Sequence, residues 1–175
     1  MKLGFMVGRF QPFHKGHLNC VKYILSRHEK IIIGIGSALE SHTLRNPFTA
    51  AERMKMIMLS LGEAGIDCNK YILIPIPDSE IHTTWISIVE TLVPELNKAV
   101  IYSNEPLTRR LFIENGYKVE ALPFYKREVY SGEEFRRRVL NNENWREIVT
   151  DKVADYLVKE GLINRLIDLN KRDKL

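Results

Sequence analysis

Cysteine is scarce in this sequence: Cys20 and Cys68 are the only two in 175 residues. They form no CxxC and no metal-ligand spacing, which argues against a disulfide framework and fits a reducing compartment, with both thiols expected in the core. Long apolar runs are also missing. The longest, Ile31 to Ile35, already contains Gly34 and falls far short of the roughly 20 residues a membrane helix needs. The N-terminus passes at once into Leu3-Gly4-Phe5-Met6-Val7-Gly8, too short for a signal-peptide core and without a small-residue cleavage pattern. A cytoplasmic protein with no membrane partner is expected. Low-complexity tracts and internal repeats are absent, which excludes solenoids and disordered tails. The basic clusters Arg136-Arg137-Arg138 and Lys171-Arg172 lack interleaved aromatics, and neither a Cys/His finger nor a zipper is present. Nucleic acid is therefore not an expected partner. Neither G-x-G-x-x-G nor G-x-x-x-x-G-K-[ST] occurs, so the usual dinucleotide fingerprint and the P-loop are both excluded.

What remains is the composition of an ordinary globular protein, 45% apolar and 27% charged. A chain of this length can bury about 70% of its unfolded surface in one domain. The net charge of +4 favours anionic ligands without choosing among them. Short apolar runs alternate with longer amphipathic ones, the pattern of βαβ units building a parallel sheet. Five strands are expected, at Lys2 to Val7, Lys30 to Gly36, Lys70 to Ile76, Lys98 to Ser103 and Lys118 to Leu122. Helices are expected near Gly16 to Arg27, Ala50 to Leu61, Thr84 to Leu92 and Glu105 to Glu114, joined by right-handed crossovers. Thr49-Ala50-Ala51-Glu52 and Ser131-Gly132-Glu133-Glu134 both fit a capping box, and Asn104 is positioned to cap the helix whose first turn contains Pro106. Gly116 fits a helix stop. From Ser131 the pattern is helical, broken at Asn141 to Asn144 and at Gly161. The fold class is thus a Rossmann-like, doubly wound α/β fold: a five-stranded parallel sheet, helices on both faces and a helical C-terminal segment.

Open parallel sheets bind ligands beyond the carboxyl ends of their strands, where strand order reverses. Gly8-Arg9, Gly36-Ser37, Asp78 and Ser103-Asn104 follow the first four strands, which places the expected site there. The first of these loops leads into His14-x-Gly16-His17. Imidazoles three residues apart share one face of the helix they open, and a helix N-terminus already offers N–H donors and partial positive charge to an anion. The glycine lets a phosphate approach the backbone. Two histidines alone do not make a zinc site, and no companion ligand has suitable spacing, so no metal ligands are expected from the protein.

The segment Gly8-Arg9-Phe10-Gln11-Pro12-Phe13-His14-Lys15-Gly16-His17 resembles the HxGH nucleotidyltransferase superfamily, in its archaeal nicotinamide-nucleotide adenylyltransferase form. Six of these positions would coincide by chance with odds on the order of 10⁻⁶. Ser41-His42-Thr43-Leu44-Arg45-Asn46-Pro47-Phe48-Thr49-Ala50-Ala51-Glu52-Arg53, Asp78 with Trp85, and Ser131 to Arg136 extend the resemblance over roughly Lys2 to Leu140. It implies a single nucleotidyltransferase domain over 1–175, with a βα core to 122 and the phosphate-binding loop and C-terminal helices over 123–175. It also implies that nicotinamide mononucleotide attacks the α-phosphorus of ATP, giving NAD⁺ and pyrophosphate, with Mg²⁺ carried on the ATP phosphates. His14, His17 and Arg136 would be catalytic. Gly8, Arg9, Phe10, Gly16 and Ser131 would bind ATP and its phosphates, and Arg45, Asp78 and Trp85 would bind the nicotinamide nucleotide. A homo-oligomer, a hexamer in the resembling enzymes, is implied as well.

Two positions depart from the family pattern. Glu133 stands where a hydroxyl is usual in the phosphate loop, and His82 where an amide is usual near the nicotinamide. The alternatives are a sister enzyme acting on phosphopantetheine or flavin mononucleotide, or a non-catalytic NAD sensor.

Overall fold

The structure, a computed structural model, describes residues 3–172, so Lys2, expected to open the first strand, lies outside the described residues. The chain divides into two compact units. The first takes in residues 3–8, Cys20–Ala38 and Asp67–Pro123. Its sheet comprises β1 (Leu3–Gly8), β2 (Lys30–Ile35), β3 (Tyr71–Pro75), β4 (Ala99–Tyr102) and β5 (Val119–Glu120), in the order β3-β2-β1-β4-β5 and parallel throughout. The chain builds outward from β1 to β3 and then returns to the other side of β1. Strand order thus reverses between β1 and β4.

The central strands are apolar almost without interruption because both their faces are covered. Phe5, Ile32 and Ile101 share the core of this unit with Ile86 and Val89 of α3 (His82–Leu92) and Leu111 and Phe112 of α4 (Pro106–Glu114). The helix α1 (Lys15–Leu25) contributes Val21 and Ile24, both fully buried.

Two local expectations need correction. Asn104 does not cap α4; its side chain donates to the Leu122 carbonyl and accepts from the Leu122 N–H, extending the sheet edge where β5 was expected to continue. Glu105 is the cap instead, its carboxylate accepting from the Leu107 and Thr108 N–H groups at the positive end of the helix dipole. Nor are both thiols in the core: Cys68 is exposed in the single turn before edge strand β3, and only Cys20 is partly buried.

The second unit takes in Arg9–Asn19, Leu39–Ile66 and residues 124–172. It contains α2 (Ala50–Glu63), α5 (Gly132–Leu140), α6 (Asp151–Lys159) and α7 (Leu162–Arg172). Helices of nine residues such as α5 and α6 are too short to stand alone in water, so packing must hold them. Phe135, Val153, Leu157, Leu162 and Leu166 supply it from buried positions.

The capping box at Thr49 is complete: its hydroxyl accepts from the Glu52 N–H at 3.2 Å and the Glu52 carboxylate accepts from the Thr49 N–H at 2.9 Å. Arg165 of α7 grips that same carboxylate through both guanidinium nitrogens, at 2.7 and 2.8 Å. At Ser131 only half of the expected box forms. The hydroxyl accepts from the Glu134 N–H, but the Glu134 carboxylate turns to Arg137 and Arg138, which also pair with Glu143 and Glu147. The arginine run beyond Arg136 is thus neutralised within the helix and the turn that follows it. Gly161, at φ 68°, makes the expected break between α6 and α7.

Candidate active site

His14 precedes the first residue of α1 and His17 is the third residue inside it, the spacing of a capping box. The two imidazoles form that box. The Nδ1 of His14 accepts from the His17 N–H at 3.3 Å, and the Nδ1 of His17 accepts from the His14 N–H at 3.2 Å. The rings stack with centroids 3.5 Å apart. Because both Nδ1 atoms act as acceptors, the single proton of each neutral ring resides on Nε2, and both rings present an Nε2–H donor.

Their surroundings keep the rings neutral. His17 also stacks on Phe13 at 5.3 Å and meets the edge of Phe10 at 4.8 Å. Burial lowers the pKa of His14 to about 3, and burial followed by the nearness of His14 lowers that of His17 well below the ordinary value. Phe10, at φ 52°, adopts the left-handed region that favours glycine, and its ring is buried beneath the histidines.

The segment 9–17 is braced on two sides. Gln11 pairs its side-chain amide with both main-chain groups of Phe48, each bond at 2.9 Å. The fully buried Arg53 donates to the Arg9 carbonyl at 2.7 Å and to the Thr49 carbonyl at 3.2 Å, and Arg9 reaches Asn46. These bonds bind the loop carrying Arg45 to the loop carrying the histidines. On the other side, Arg136 donates to the Gln11 carbonyl at 2.9 Å. Gly132 permits that approach, since a Cβ there would stand 2.9 Å from the Gln11 carbonyl oxygen and 3.0 Å from the Arg136 guanidinium. A Cβ at Gly16 would stand 2.9 Å from the His14 ring.

Three expected residues of this unit, Arg9, Arg45 and Arg136, therefore share one electrostatic site. The pKa of Arg136 is lowered first by burial and then by Arg9 and Arg45, with Glu133 opposing. A half-buried guanidinium that feels two others constitutes a site that an anion would relieve. Glu133 is exposed at the first turn of α5, and Ser131 caps that helix, its hydroxyl accepting from the Glu134 N–H.

Gly8, Asp78 and Trp85 belong to the other unit. Gly8 ends β1 with its carbonyl accepting from the Gly36 N–H. Asp78 is exposed in the loop after β3, and His82 is exposed at the start of α3. Trp85 is half-buried and packs edge-on against Phe112 at 5.8 Å, so part of its indole serves the core.

Sequence reasoning assigned no role to Gln11, Asn46, Arg53 or Gly132. Only Arg53 carries a hint, a charged residue one turn inside α2 on the face of Met56 and Ile57. Gln11 and Gly132 act through main-chain partners and Asn46 through the Arg9 guanidinium, meetings that spacing cannot reveal. Among the described residues no group of three or more His, Cys, Asp or Glu side chains could hold a metal, and no helix is long and apolar enough to cross a membrane.

The cytidylyltransferase-like family model matches residues 5–138. The nicotinamide-nucleotide adenylyltransferase of Methanolobus tindarius is 44% identical over 99% of this chain and 98% of its own. That of Pyrococcus horikoshii is 43% identical over 95% of this chain and 88% of its own. The chain belongs to the nicotinamide-nucleotide adenylyltransferase family. A bifunctional NMN adenylyltransferase/ADP ribose pyrophosphatase from Francisella tularensis, solved with AMP and a manganese ion, has the same fold at a TM-score of 0.81 and 26% identity. The match covers 98% of this chain and 53% of that longer one. The residues matched by the family model, 5–138, include the loop of Arg9 to His17, the Arg45 loop and the Ser131 to Arg136 turn.

Proposed function

We infer that the protein joins nicotinamide mononucleotide to the AMP moiety of ATP, forming NAD⁺ and releasing pyrophosphate. The observation that carries this reading is the pairing of two neutral Nε2–H donors with Arg136, whose guanidinium feels the charges of both Arg9 and Arg45, in a chain of this family. A phosphate oxygen of nicotinamide mononucleotide forms a bond to the α-phosphorus of ATP. The bond from that phosphorus to the oxygen bridging to the β-phosphate breaks, and its electron pair leaves with pyrophosphate. No proton need move and no protein nucleophile is required, so the protein contributes position and charge.

In this reading His14 and His17 donate to oxygens of the α-phosphate and the leaving group. Arg9 and Arg136 bind the polyphosphate through their forks, with Gly8, Phe10, Gly16 and Ser131 shaping the approach. Arg45 holds the nicotinamide nucleotide's phosphate, Asp78 its ribose and Trp85 its ring. A divalent metal, proposed as Mg²⁺, would neutralise phosphate charge; with no carboxylate cluster among the described residues, it would arrive on the ATP. The enzyme is proposed to work in the cytoplasm as a hexamer, each chain serving as one nucleotidyltransferase domain.

A substrate panel tests the reading. Purified protein with Mg²⁺, ATP and nicotinamide mononucleotide should release pyrophosphate and form NAD⁺ faster than it forms dephospho-coenzyme A or FAD from the corresponding acceptors. Faster turnover of either other acceptor would reassign the substrate, and no release from any would favour a sensor.

A further inference from the structure

The first unit has a concave site on the β1-β4-β5 part of the sheet that takes in residues at the N-terminal ends of those strands. Leu3 opens β1, Lys98 immediately precedes β4, Lys118 immediately precedes β5, and Arg27 and His28 follow α1. Together they surround a cavity of about 380 Å³ whose apolar floor is Leu3 and Val100. That volume lies at the lower end of the range for small-molecule pockets. Val100 and Tyr102 alternate along β4 and so face the same side of the sheet, as do Lys118 and Glu120 across β5.

The polar wall of this cavity is built rather than incidental. The hydroxyl of Tyr102, a buried residue, donates to Glu120 at 3.2 Å and lies 2.9 Å from Nε2 of His28. With its only proton given to Glu120, that hydroxyl must accept from His28. The other Glu120 oxygen receives Lys118 at 2.7 Å. The carboxylate is thus occupied from both sides, and the opening holds three cations, Arg27, Lys98 and Lys118, of which Lys118 pairs with Glu120 and Lys98 with Glu95. Arg27 lies over the Tyr23 ring at 4.4 Å, and Lys98 pairs with Glu95 at the surface, a contact of small worth that it can exchange for a stronger anion.

We propose that this cavity binds a small phosphorylated ligand, with Arg27, Lys98 and Lys118 as the phosphate donors and Leu3 and Val100 beneath its organic part. Three cations from three separate segments suit the several oxygens of a phosphate better than a single carboxylate. The adenylyl-transfer chemistry uses none of these residues, so the site could be filled while turnover proceeds.

The test maps metal-free pyrophosphate onto the full chain by amide and side-chain NMR shifts. Saturable shifts are expected at Arg27, Lys98, Tyr102 and Lys118, in addition to those in residues 9–17 and 131–136. The double variant Arg27→Ala/Lys98→Ala alters two exposed side chains and leaves the Tyr102 network intact. It should weaken the first set at least about tenfold, while the second set and pyrophosphate release during turnover stay at wild-type values. Shifts confined to the second set, shifts at the cavity that survive the double variant, or shifts that fail to saturate by about 10 mM, an adventitious ion only, would each overturn the proposal. Location is measured without turnover, so failure of the adenylyl-transfer reading would leave this result standing.

Discussion

At the residue scale, the two histidines act as one unit. Each imidazole caps the other's main-chain N–H, so a substitution removes both a phosphate donor and half of a helix cap. His17→Ala should lower kcat by about 10²-fold or more, equivalent to about 2.7–4 kcal/mol of transition-state stabilisation, with the fold retained. Pyrophosphate release together with a melting curve checks this, and wild-type turnover would remove His17 from the mechanism.

Neutral rings also set a pH dependence. The unfolded chain protonates its histidines near pH 6.5, whereas folded His14 resists until about pH 3 and His17 is shifted the same way. Between those values the unfolded state binds more protons, so stability is complete above about pH 6.5 and declines as pH falls toward 3. Urea midpoints measured downward from about pH 7.5 should show that decline, and His14→Gln should flatten it. A slope unchanged in the variant would mean other groups dominate. Glu133 opposes the effect of Arg9 and Arg45 on Arg136 from an exposed position. Glu133→Thr should therefore lower the KM for ATP about two- to fivefold, the scale of an exposed charge contact, and an unchanged or higher KM would place Glu133 away from the polyphosphate.

At the element scale, the N-terminus of α5 must close on the segment 9–17 for Arg136 to reach Gln11, and Gly132 controls the closure. Gly132→Ala forces a Cβ within 2.9 Å of a backbone oxygen that cannot retreat freely. Stability should fall by about 1–3 kcal/mol, the usual cost of overpacking, and the KM for ATP should rise as Arg136 is displaced. Calorimetry and kinetics report the two effects separately; unchanged values of both would show that α5 does not need this approach. On α2, the complete capping box and the Arg165 fork meet on one carboxylate. Burial alone would raise the pKa of Glu52, but bonds from Arg165 and the Thr49 N–H outweigh it and hold the pKa below the ordinary value.

At the scale of the whole molecule, Leu39, Ile81 and Phe124 leave large apolar side chains mostly exposed, and self-association would cover such surface. Sedimentation of the purified protein should give a particle six times the mass of one chain; a monomer at micromolar concentration would end the hexamer proposal. Much of the molecule was legible beforehand. The strands and helices follow from apolar periodicity, which reports local geometry, and the decapeptide through His17 concentrates its chemistry within one loop and one helix turn, so both could be read along the chain. Only tertiary structure decided that Glu105 rather than Asn104 caps α4, that Trp85 packs edge-on against Phe112, and that Gln11 and Arg53 fasten the loop of Arg45 to that of the histidines. Those outcomes depend on which main-chain carbonyls and rings come within about 3 to 6 Å of a side chain after folding. Sequence spacing specifies periodicity along the chain, but not those meetings between its distant parts.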